Sequence, residues 1–308
     1  MKTISLVLGS GGARGYAHVG VIRALVESGY EIKGIAGCSM GALVGGFYAA
    51  GKLDVFEEWV CTLSYMDVLK LVDLSLLSSG AIRGDKIFAV LSEMLGNIKI
   101  EDLDIPYTAV ATDLTNQKEV WFNSGSLEEA IRASCSIPSL VRPVVMGNRL
   151  LVDGGVLNPL PIAASVAVHA DHIIAVDLSS DVPMPAGNKK ETHAQKLSHE
   201  EEKAGWFTQV RDKAMSFLDR EPVQAQAALD DNLSKLGIMY QMFDTMQASL
   251  TQYKIAGYRP DLLIRIPKNS VSIFEFYRAE SQIQLGYNIA MQAIQAFEAD
   301  EACTYGQL

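Results

Sequence analysis

The chain of 308 residues is poor in cysteine, has no apolar run long enough to span a bilayer and carries no excess of basic residues. Its four cysteines, at positions 38, 61, 135 and 303, have neither the density of a disulfide-bonded domain nor the spacing of a zinc site. We therefore expect reduced thiols in a cytoplasmic protein without a metal. The apolar start is similar to a signal peptide, but the glycines of Gly9–Gly15 cut it too short.

The net charge of −10 and the isoelectric point near 5.0 argue against a nucleic-acid partner, because phosphates bind basic surfaces. The same charge disfavours long-range attraction to an anionic membrane, so any membrane contact would be transient and would depend on apolar surface. Hydrophobic residues make up 49% of the chain, which is enough for a large buried core. The composition thus indicates a globular protein.

Two glycine-rich segments near the start, Gly9–Gly15 and Gly37–Gly41, carry the strongest functional signal. Each follows an apolar run of strand length, Ile4–Leu8 or Ile32–Ala36, and each is followed by helical spacing. The second segment has the pattern Gly-x-Ser-x-Gly, which places Ser39 on a sharp turn at a helix N-terminus. The pattern predicts a nucleophilic serine.

The first segment predicts backbone donors for an oxyanion, supplied by the N–H groups of Gly11 and Gly12. A dinucleotide-binding loop is the alternative, because such loops also join a first strand to a helix. The register argues against it, since Arg14 or Ser10 stands where a glycine is needed and no acid for a ribose follows the second strand. We therefore expect no cofactor.

Strands and helices alternate along most of the chain, which predicts an α/β fold. Further strands are predicted over 107–111, 119–122, 172–177 and 260–267, and further helices over 85–95, 127–134 and 274–297. Gly147 and Asn148 separate the two strands of a predicted hairpin. Val55–Val72 is interpreted as a core helix, with a lid or a lipid-contacting helix as the alternative.

Residues 180–256 are interpreted as a linker and a helical insertion within a single domain that spans 1–308. Charge, proline and glycine over 179–203 are typical of a linker. Apolar residues repeat at helical intervals over 204–253, and we expect this stripe to be core, with an acyl-chain groove or a contact between two copies of the chain as the alternative. A closing strand and helix over 257–298 complete the domain.

A serine nucleophile requires a proton acceptor, and the sequence offers carboxylates and histidines. Asp113, Asp153 and Asp177 each fall near the end of a predicted strand, and only Asp153 is followed by two glycines that would let the backbone aim the carboxylate. His169 and His172 border a strand, but no histidine lies in a motif that marks a base. The residues alone leave a Ser-Asp pair and a Ser-His-Asp arrangement open.

Four motifs, in this order, resemble the patatin-like phospholipase family and its bacterial branch in particular. They are Ser-Gly-Gly-Ala-Arg-Gly at 10–15, Gly-Cys-Ser-Met-Gly at 37–41, Ser134–Pro138 with Pro143, and Asp153-Gly-Gly with Asn158 and Pro161. The likeness covers residues 3–180, and 259–287 is similar to the closing strand and helix of that branch. It implies a three-layer fold with a central, mostly parallel sheet, and it does not account for the helical insertion.

The resemblance implies a catalytic dyad of Ser39 and Asp153 that acts on lipid or lysophospholipid acyl esters. It also implies an oxyanion hole formed by Gly11, Gly12, Ala13 and Arg14. Ser10 stands where many family members have glycine, so the first turn of the loop is expected to differ slightly. Acyl transfer to an alcohol or thiol is one alternative, and a non-catalytic regulator that binds lipid or protein through 204–253 is the other.

Overall fold

A mixed, mostly parallel β-sheet flanked by helices forms the centre of this computed structural model, which describes residues 2–72, 85–138, 141–185 and 222–305. The described strands are β1 (Lys2–Leu8), β2 (Tyr30–Cys38), β3 (Tyr107–Asp113), β4 (Lys118–Phe122), β5 (Val144–Met146), β6 (Arg149–Asp153), β7 (His172–Ser180) and β8 (Leu262–Pro267). Their order is β5-β6-β3-β2-β1-β7-β8, and β4 also pairs with β3. Neighbouring strands in the part of the sheet ordered β3-β2-β1-β7-β8 are parallel, whereas β4, β5 and β6 form antiparallel pairs. The predicted fold class is confirmed.

Helices connect the strands, and short 3-10 turns fill several junctions. The described helices are α1 (Ala17–Glu27), α2 (Met40–Ala49), α3 (Leu53–Thr62), α4 (Tyr65–Val72), α5 (Asp85–Leu95), α6 (Leu127–Ser134), α7 (Pro222–Gly257) and α8 (Ala279–Tyr305). The 3-10 turns cover Gly12–Tyr16, Ile100–Asp102, Gly154–Val156, Ile162–Ser165 and Phe276–Arg278. None of the helices in the described ranges has the length and apolar character needed to cross a bilayer.

The predicted helix over Val55–Val72 is two helices, α3 and α4, so the prediction of one continuous helix was wrong. The break has a local cause at Ser64 and Asp67, which cap the start of α4 reciprocally. The N–H of Ser64 donates to the Asp67 carboxylate at 3.1 Å, and the N–H of Asp67 donates to the Ser64 hydroxyl oxygen at 3.3 Å. Apolar spacing alone did not reveal this cap.

Contacts divide the chain into two units, one formed by residues 1–183 and 244–308 and the other by residues 184–243. Helix α7 contributes residues to both units. From Asp244 onward, α7 belongs to the first unit. The insertion over 180–256 stays a prediction. Residues 186–221, which hold most of the predicted linker and the first part of the predicted helical stretch, lie outside the described residues. A single domain over 1–308 stays a prediction.

The predicted apolar core stripe of α7 was wrong for Met246, which is 49% exposed. Met239 and Met242, which with Met246 suit the alternative of an acyl-chain groove or a contact between two copies, are 48% and 58% exposed, and that alternative stays a prediction. Two polar residues further along the helix, Gln247 and Thr251, are buried instead. The part of α7 in the first unit therefore packs through these polar residues, followed by Ile255, which packs against an apolar cluster.

The carboxyl ends of the central strands bring the candidate site together. Leu8 of β1 lies opposite Gly37 of β2, so the loop after β1 and the turn after β2 leave the same edge of the sheet. Strand β3 lies between β2 and β6. Cys38 of β2 pairs with Val110 of β3, and Asp153 of β6 pairs with the next residue of β3, Ala111. Ser39 and Asp153 therefore lie on either side of β3 at this edge.

Candidate active site

Ser39 lies on the sharp turn between β2 and α2, with φ 55° and ψ −123°, a conformation that is rare for a residue with a side chain. The turn depends on its flanking glycines. A Cβ on Gly41 would lie 2.1 Å from the Leu8 carbonyl oxygen, and one on Gly37 would lie 2.5 Å from the Gly41 carbonyl oxygen. Both glycines of the Gly-x-Ser-x-Gly pattern are therefore required by close backbone contacts. The turn places Ser39 at the N-terminus of α2, whose first N–H groups have no partner within the helix.

A second serine, Ser134 at the end of α6, holds this turn in place. Its hydroxyl oxygen accepts a hydrogen bond from the Ser39 N–H at 2.9 Å, and the hydroxyl donates to the Val110 carbonyl oxygen at 2.6 Å. Ser134 is fully buried, so two hydrogen bonds tie the strained peptide of Ser39 to β3. Sequence reasoning noticed Ser134 only as part of a motif. A serine on the buried side of a helix was the signal that could have indicated its role.

Asp153 ends β6 and is fully buried. Its Oδ1 accepts a hydrogen bond from the Gly155 N–H at 2.7 Å and lies 3.9 Å from the Cys38 sulfur. Its Oδ2 has no hydrogen-bond partner among the described residues. Burial raises the pKa of the carboxyl to about 7, and the nearby Ser39 hydroxyl, together with hydrogen bonding from Gly155 and Cys38, opposes part of the rise. The group is thus poised to exchange a proton near neutral pH.

The hydroxyl of Ser39 is close enough to the Asp153 carboxyl to lower its pKa. However, no hydrogen bond of ordinary distance and angle joins these two side chains, which leaves Oδ2 free. Catalytic hydrogen bonds are often long without substrate and shorten when it binds. The contact between Ser39 and Asp153 is of this loose kind.

The two other strand-end carboxylates considered from the sequence are occupied. Both oxygens of Asp113 accept hydrogen bonds from the turn that follows β3, at 2.8 to 3.2 Å. Both oxygens of Asp177 also accept hydrogen bonds, from the Ser179 N–H and the Ser180 hydroxyl. Asp153 is the one of the three with a free oxygen.

His169 and His172 lie near the opposite edge of the sheet from Ser39. His172 begins β7 and pairs with Ile4, whereas the edge that carries Ser39 is reached at Leu8. Four strand residues separate the two positions by roughly 13 Å. The geometry therefore does not bring these histidines to the candidate nucleophile.

His18 of α1 is buried beneath the glycine loop. Its Nε2 lies 2.8 Å from the Gly9 carbonyl oxygen, and burial lowers the pKa of the ring to about 4. A neutral ring that donates from Nε2 satisfies this contact. His18 thus supports the backbone of the loop, and His193 and His199 lie outside the described residues.

The glycine loop after β1 has two N–H groups without a hydrogen-bond partner in the described part of the chain, those of Gly11 and Gly12. Gly12 has φ 56° and lines the cavity next to Ser39. The N–H of Ala13 is already used, because it donates to the Ile273 carbonyl oxygen at 3.0 Å. Gly11 and Gly12 are the two members of the predicted oxyanion hole with N–H groups available for a ligand.

The guanidinium of Arg14 is buried and fully engaged with protein groups. Its Nε donates to the Gly11 carbonyl oxygen at 3.2 Å, and its Nη1 donates to the Lys268 carbonyl oxygen at 3.2 Å. Its Nη2 pairs with the Asp244 carboxylate at 2.6 Å. The Arg14 side chain thus fixes the shape of the loop and is not among the residues that line the cavity.

An apolar cavity opens beside Ser39. Its lining is Gly12, Tyr16, Ser39, Met40, Leu43, Phe56, Trp59, Leu63, Val68, Leu71, Ile87, Phe88, Leu91, Cys135, Ile137, Val141 and Phe276. Helices α3, α4 and α5 supply much of this wall. Phe56 and Val60 of α3 are buried, as the interpretation of this segment as core predicts, whereas Val55 and Met66 are exposed. A lid function of the segment stays a prediction.

Ser39, rather than a neighbouring thiol, is the candidate nucleophile of the cavity. Burial raises the pKa of the Cys38 and Cys135 thiols well above their ordinary range, so both stay protonated at neutral pH. Within the ranges that the structure describes, no group of three His, Cys, Asp or Glu residues is arranged to hold a metal ion.

This chain is similar in sequence to proteins of one family and similar in fold to a solved structure. A profile of the family described as patatin-like phospholipase matches residues 6–166. An uncharacterized NTE family protein of Mycobacterium tuberculosis is 40% identical over 335 aligned residues, covering 97% of this chain and 93% of the relative. The neuropathy target esterase of Drosophila melanogaster is 34% identical over 186 residues, covering 58% of this chain and 13% of that protein. The structure of VipD from Legionella pneumophila matches 96% of this chain and 67% of that chain with a TM-score of 0.52 and 15% identity, which supports the fold alone.

Proposed function

Because the chain belongs to the patatin-like phospholipase family, we propose that it hydrolyses the acyl esters of phospholipids or lysophospholipids through an acyl-enzyme intermediate. The observation that carries the proposal is a convergence at one edge of the sheet. There the strained turn of Ser39, the buried carboxyl of Asp153 and an apolar cavity meet.

In the proposed reaction, Ser39 is the nucleophile and Asp153 the base. The Ser39 oxygen attacks the ester carbonyl carbon while its proton passes to the Asp153 carboxylate, and the carbonyl electron pair moves onto oxygen. The N–H groups of Gly11 and Gly12 and the N-terminus of α2 stabilise this oxyanion. The intermediate then expels the alcohol part of the lipid, which takes the proton from Asp153. Water then attacks the acyl-enzyme in the same way, which releases the fatty acid and restores Ser39.

The environment of Asp153 suits this role. An exposed aspartate, with a pKa of about 3.9, is a weak base for a hydroxyl. Because burial raises the pKa of Asp153 to about 7, its carboxylate is a stronger base and is still populated at neutral pH. The free Oδ2 is an acceptor site for the serine proton.

The cavity supports an acyl chain as the group that is bound. Its wall of aliphatic and aromatic side chains offers burial to methylene groups and almost no polar partners. Each buried methylene contributes about 0.8 kcal/mol. Binding is therefore expected to strengthen as the acyl chain lengthens, until the cavity is full.

The proposal is tested by hydrolysis of 4-nitrophenyl esters of increasing acyl length, followed by a phospholipid and a lysophospholipid. Ser39→Ala is expected to lose activity by on the order of 10³-fold or more, because no other group supplies the attacking oxygen. Ser124→Ala removes an exposed serine and is the matched control, expected to keep wild-type rates.

Full activity in Ser39→Ala would overturn the assignment of the nucleophile. An inactive wild-type protein on all of these esters would favour a non-catalytic, lipid-binding regulator. Formation of a new ester when an alcohol is added, at the expense of free acid, would identify an acyltransferase.

A further inference from the structure

The end of helix α7, which is part of the first unit, buries a polar face. Asp244, Gln247, Thr251 and Lys254 follow one another at intervals of three, four and three residues, which places them on one side of the helix. Gln247 and Thr251 are each only 3% exposed, whereas Met246 on another side is 49% exposed. A buried glutamine is uncommon unless its amide has partners. Two residues of this face, Asp244 and Gln247, contact the glycine loop of the candidate active site.

Gln247 contacts both the glycine loop and the turn that follows Asp153. Its Nε2 donates to the Ser10 hydroxyl oxygen at 3.1 Å, and its Oε1 lies 3.3 Å from the same oxygen. The amide also lies directly against Gly155, since a Cβ on that glycine would be 1.9 Å from Nε2. The Gly155 N–H in turn donates to the Asp153 carboxylate at 2.7 Å. The Gln247 side chain thus contacts both the glycine loop and Gly155, whose N–H holds the Asp153 carboxylate.

Two further contacts fix the position of α7 along the site. Toward the start of this face, Asp244 pairs with Arg14, which holds the backbone of the glycine loop. Toward its end, Lys254 donates to Glu119 at 2.7 Å, and the other oxygen of Glu119 accepts from Asn158 at 2.8 Å. Because this face is anchored at Asp244 before Gln247 and at Lys254 after it, the amide has little freedom to slide along the loop.

We infer that Gln247 is a positioning residue for the proposed hydrolysis, which sets the distance between the oxyanion-binding loop and the base. The inference rests on the proposed function. It also gives a reason for Ser10, which stands where many family members have glycine, because the hydroxyl of Ser10 is the partner that the loop presents to Gln247. Gln247 and Ser10 work as a pair across 237 positions of sequence.

The test compares Gln247→Met, Ser10→Ala and the double variant with the wild-type protein. Gln247→Met keeps the length of the side chain and removes its hydrogen bonds. Small displacements of reacting groups cost up to on the order of 10²-fold in rate, so we expect a 10- to 100-fold fall in kcat and in the rate of Ser39 labelling by a fluorophosphonate. KM should stay within about twofold, because Gln247 does not line the cavity. Gln252→Met makes the same change at an exposed position of α7 and should leave all of these quantities unchanged.

Two additional readouts distinguish positioning from support of the fold. The double variant is expected to be no slower than the slower single variant, since both changes remove the same contact. Gln247→Glu should raise the pH midpoint of labelling, because a second carboxylate near Asp153 opposes its ionisation. Ser10→Ala tests the same contact from the loop if Gln247→Met does not fold.

Wild-type kcat and labelling rate in folded Gln247→Met would overturn the inference and leave the proposed function intact. Unchanged rates with a lower Tm would also overturn it, because the role would then be structural. A wild-type protein that neither hydrolyses esters nor becomes labelled would overturn both. Slower labelling at constant KM, with wild-type behaviour of Gln252→Met, supports the inference.

Discussion

The two helices that border the candidate site bury opposite kinds of face. Helix α2 is apolar and buries every residue from Met40 to Ala49 except Tyr48. The end of α7 buries Gln247 and Thr251 and exposes the apolar Met246. The difference follows from what each helix covers, because α2 packs against strand side chains, whereas α7 covers a loop of backbone groups and the turn after a carboxylate. Each helix buries the face that matches its neighbour.

The comparison indicates that α2 mainly stabilises the fold, whereas the end of α7 mainly positions groups of the site. Burial of apolar surface is favourable in any orientation, so α2 stabilises the fold without fixing positions to a fraction of an ångström. Hydrogen bonds depend on distance and angle and contribute a modest net stability of about 1 kcal/mol each. We therefore expect changes at buried apolar residues of α2 that lie away from Ser39 and the cavity to lower stability, and changes on the polar face of α7 to lower rate.

Asp153→Asn should have the largest effect, because it removes the proposed base. The expected loss of kcat/KM is on the order of 10³- to 10⁴-fold. The same substitution should raise the stability of the folded protein at neutral and alkaline pH. The folded pKa of about 7 lies above the ordinary 3.8, so the cost of the buried charge is absent at low pH, grows as the pH rises through this range and is complete above pH 7.

Thermal denaturation at about pH 8 and about pH 4 checks this second effect of Asp153→Asn. The variant should have the higher Tm at the alkaline pH and nearly the wild-type Tm at the acid pH. A variant that keeps its activity, or that melts below the wild-type protein at alkaline pH, would contradict the assignment of Asp153 as a buried base.

Phe47→Ala tests the apolar side of the comparison. Phe47 of α2 is fully buried, packs on Phe56 with ring centroids 4.8 Å apart and does not line the cavity. Truncation should lower the free energy of unfolding by about 3–5 kcal/mol, measured by urea denaturation. At a temperature where the variant is folded, kcat should stay near that of the wild-type protein. A variant of normal stability with a large loss of kcat would contradict the separation of roles.

The pH dependence of kcat/KM on an uncharged ester should report Asp153. The rate should rise about tenfold per pH unit and level off above a midpoint near 7, because only the ionised carboxylate accepts the serine proton. His18 should add no break in this range, since its pKa is lowered to about 4. A single midpoint near the ordinary value of 3.8 would show that the carboxyl is not desolvated.

Gly155→Ala disturbs the polar contact of α7 from the side of the turn. The new Cβ would lie 1.9 Å from Nε2 of Gln247 and 3.0 Å from Oδ1 of Asp153, so the amide must move. We expect about a tenfold fall in kcat with a small change in Tm, because a flexible side chain can yield. Gly154→Ala is the contrast, since its Cβ would meet the Val110 carbonyl oxygen at 2.1 Å and the backbone must shift. Equal losses of Tm in the two variants would weaken the account.

Met246→Gln should have the smallest effect. The residue lies on the exposed side of α7, and substitutions at such positions usually change stability by less than about 0.5 kcal/mol. Activity should be unchanged. A clear loss of either would indicate that this side of the helix has a partner in solution.

The sequence revealed most where the signal was local. The glycines around Ser39 and the strand before it specify a strand-turn-helix unit within a few residues, so the turn could be predicted. Asp153 needed the family resemblance, because its approach to Ser39 depends on pairing through β3. Gln247 could not be found, since apolar spacing predicts which residues a helix can bury against an apolar surface. It does not indicate that the end of α7 meets a polar loop from the start of the chain.

Peptide mapping by mass spectrometry after treatment with a fluorophosphonate tests the central claim most directly. We predict one adduct on Ser39 in the wild-type protein, formed much more slowly in Asp153→Asn. No adduct on Ser39 in a preparation that hydrolyses esters, or equal labelling rates with and without the Asp153 carboxylate, would contradict it.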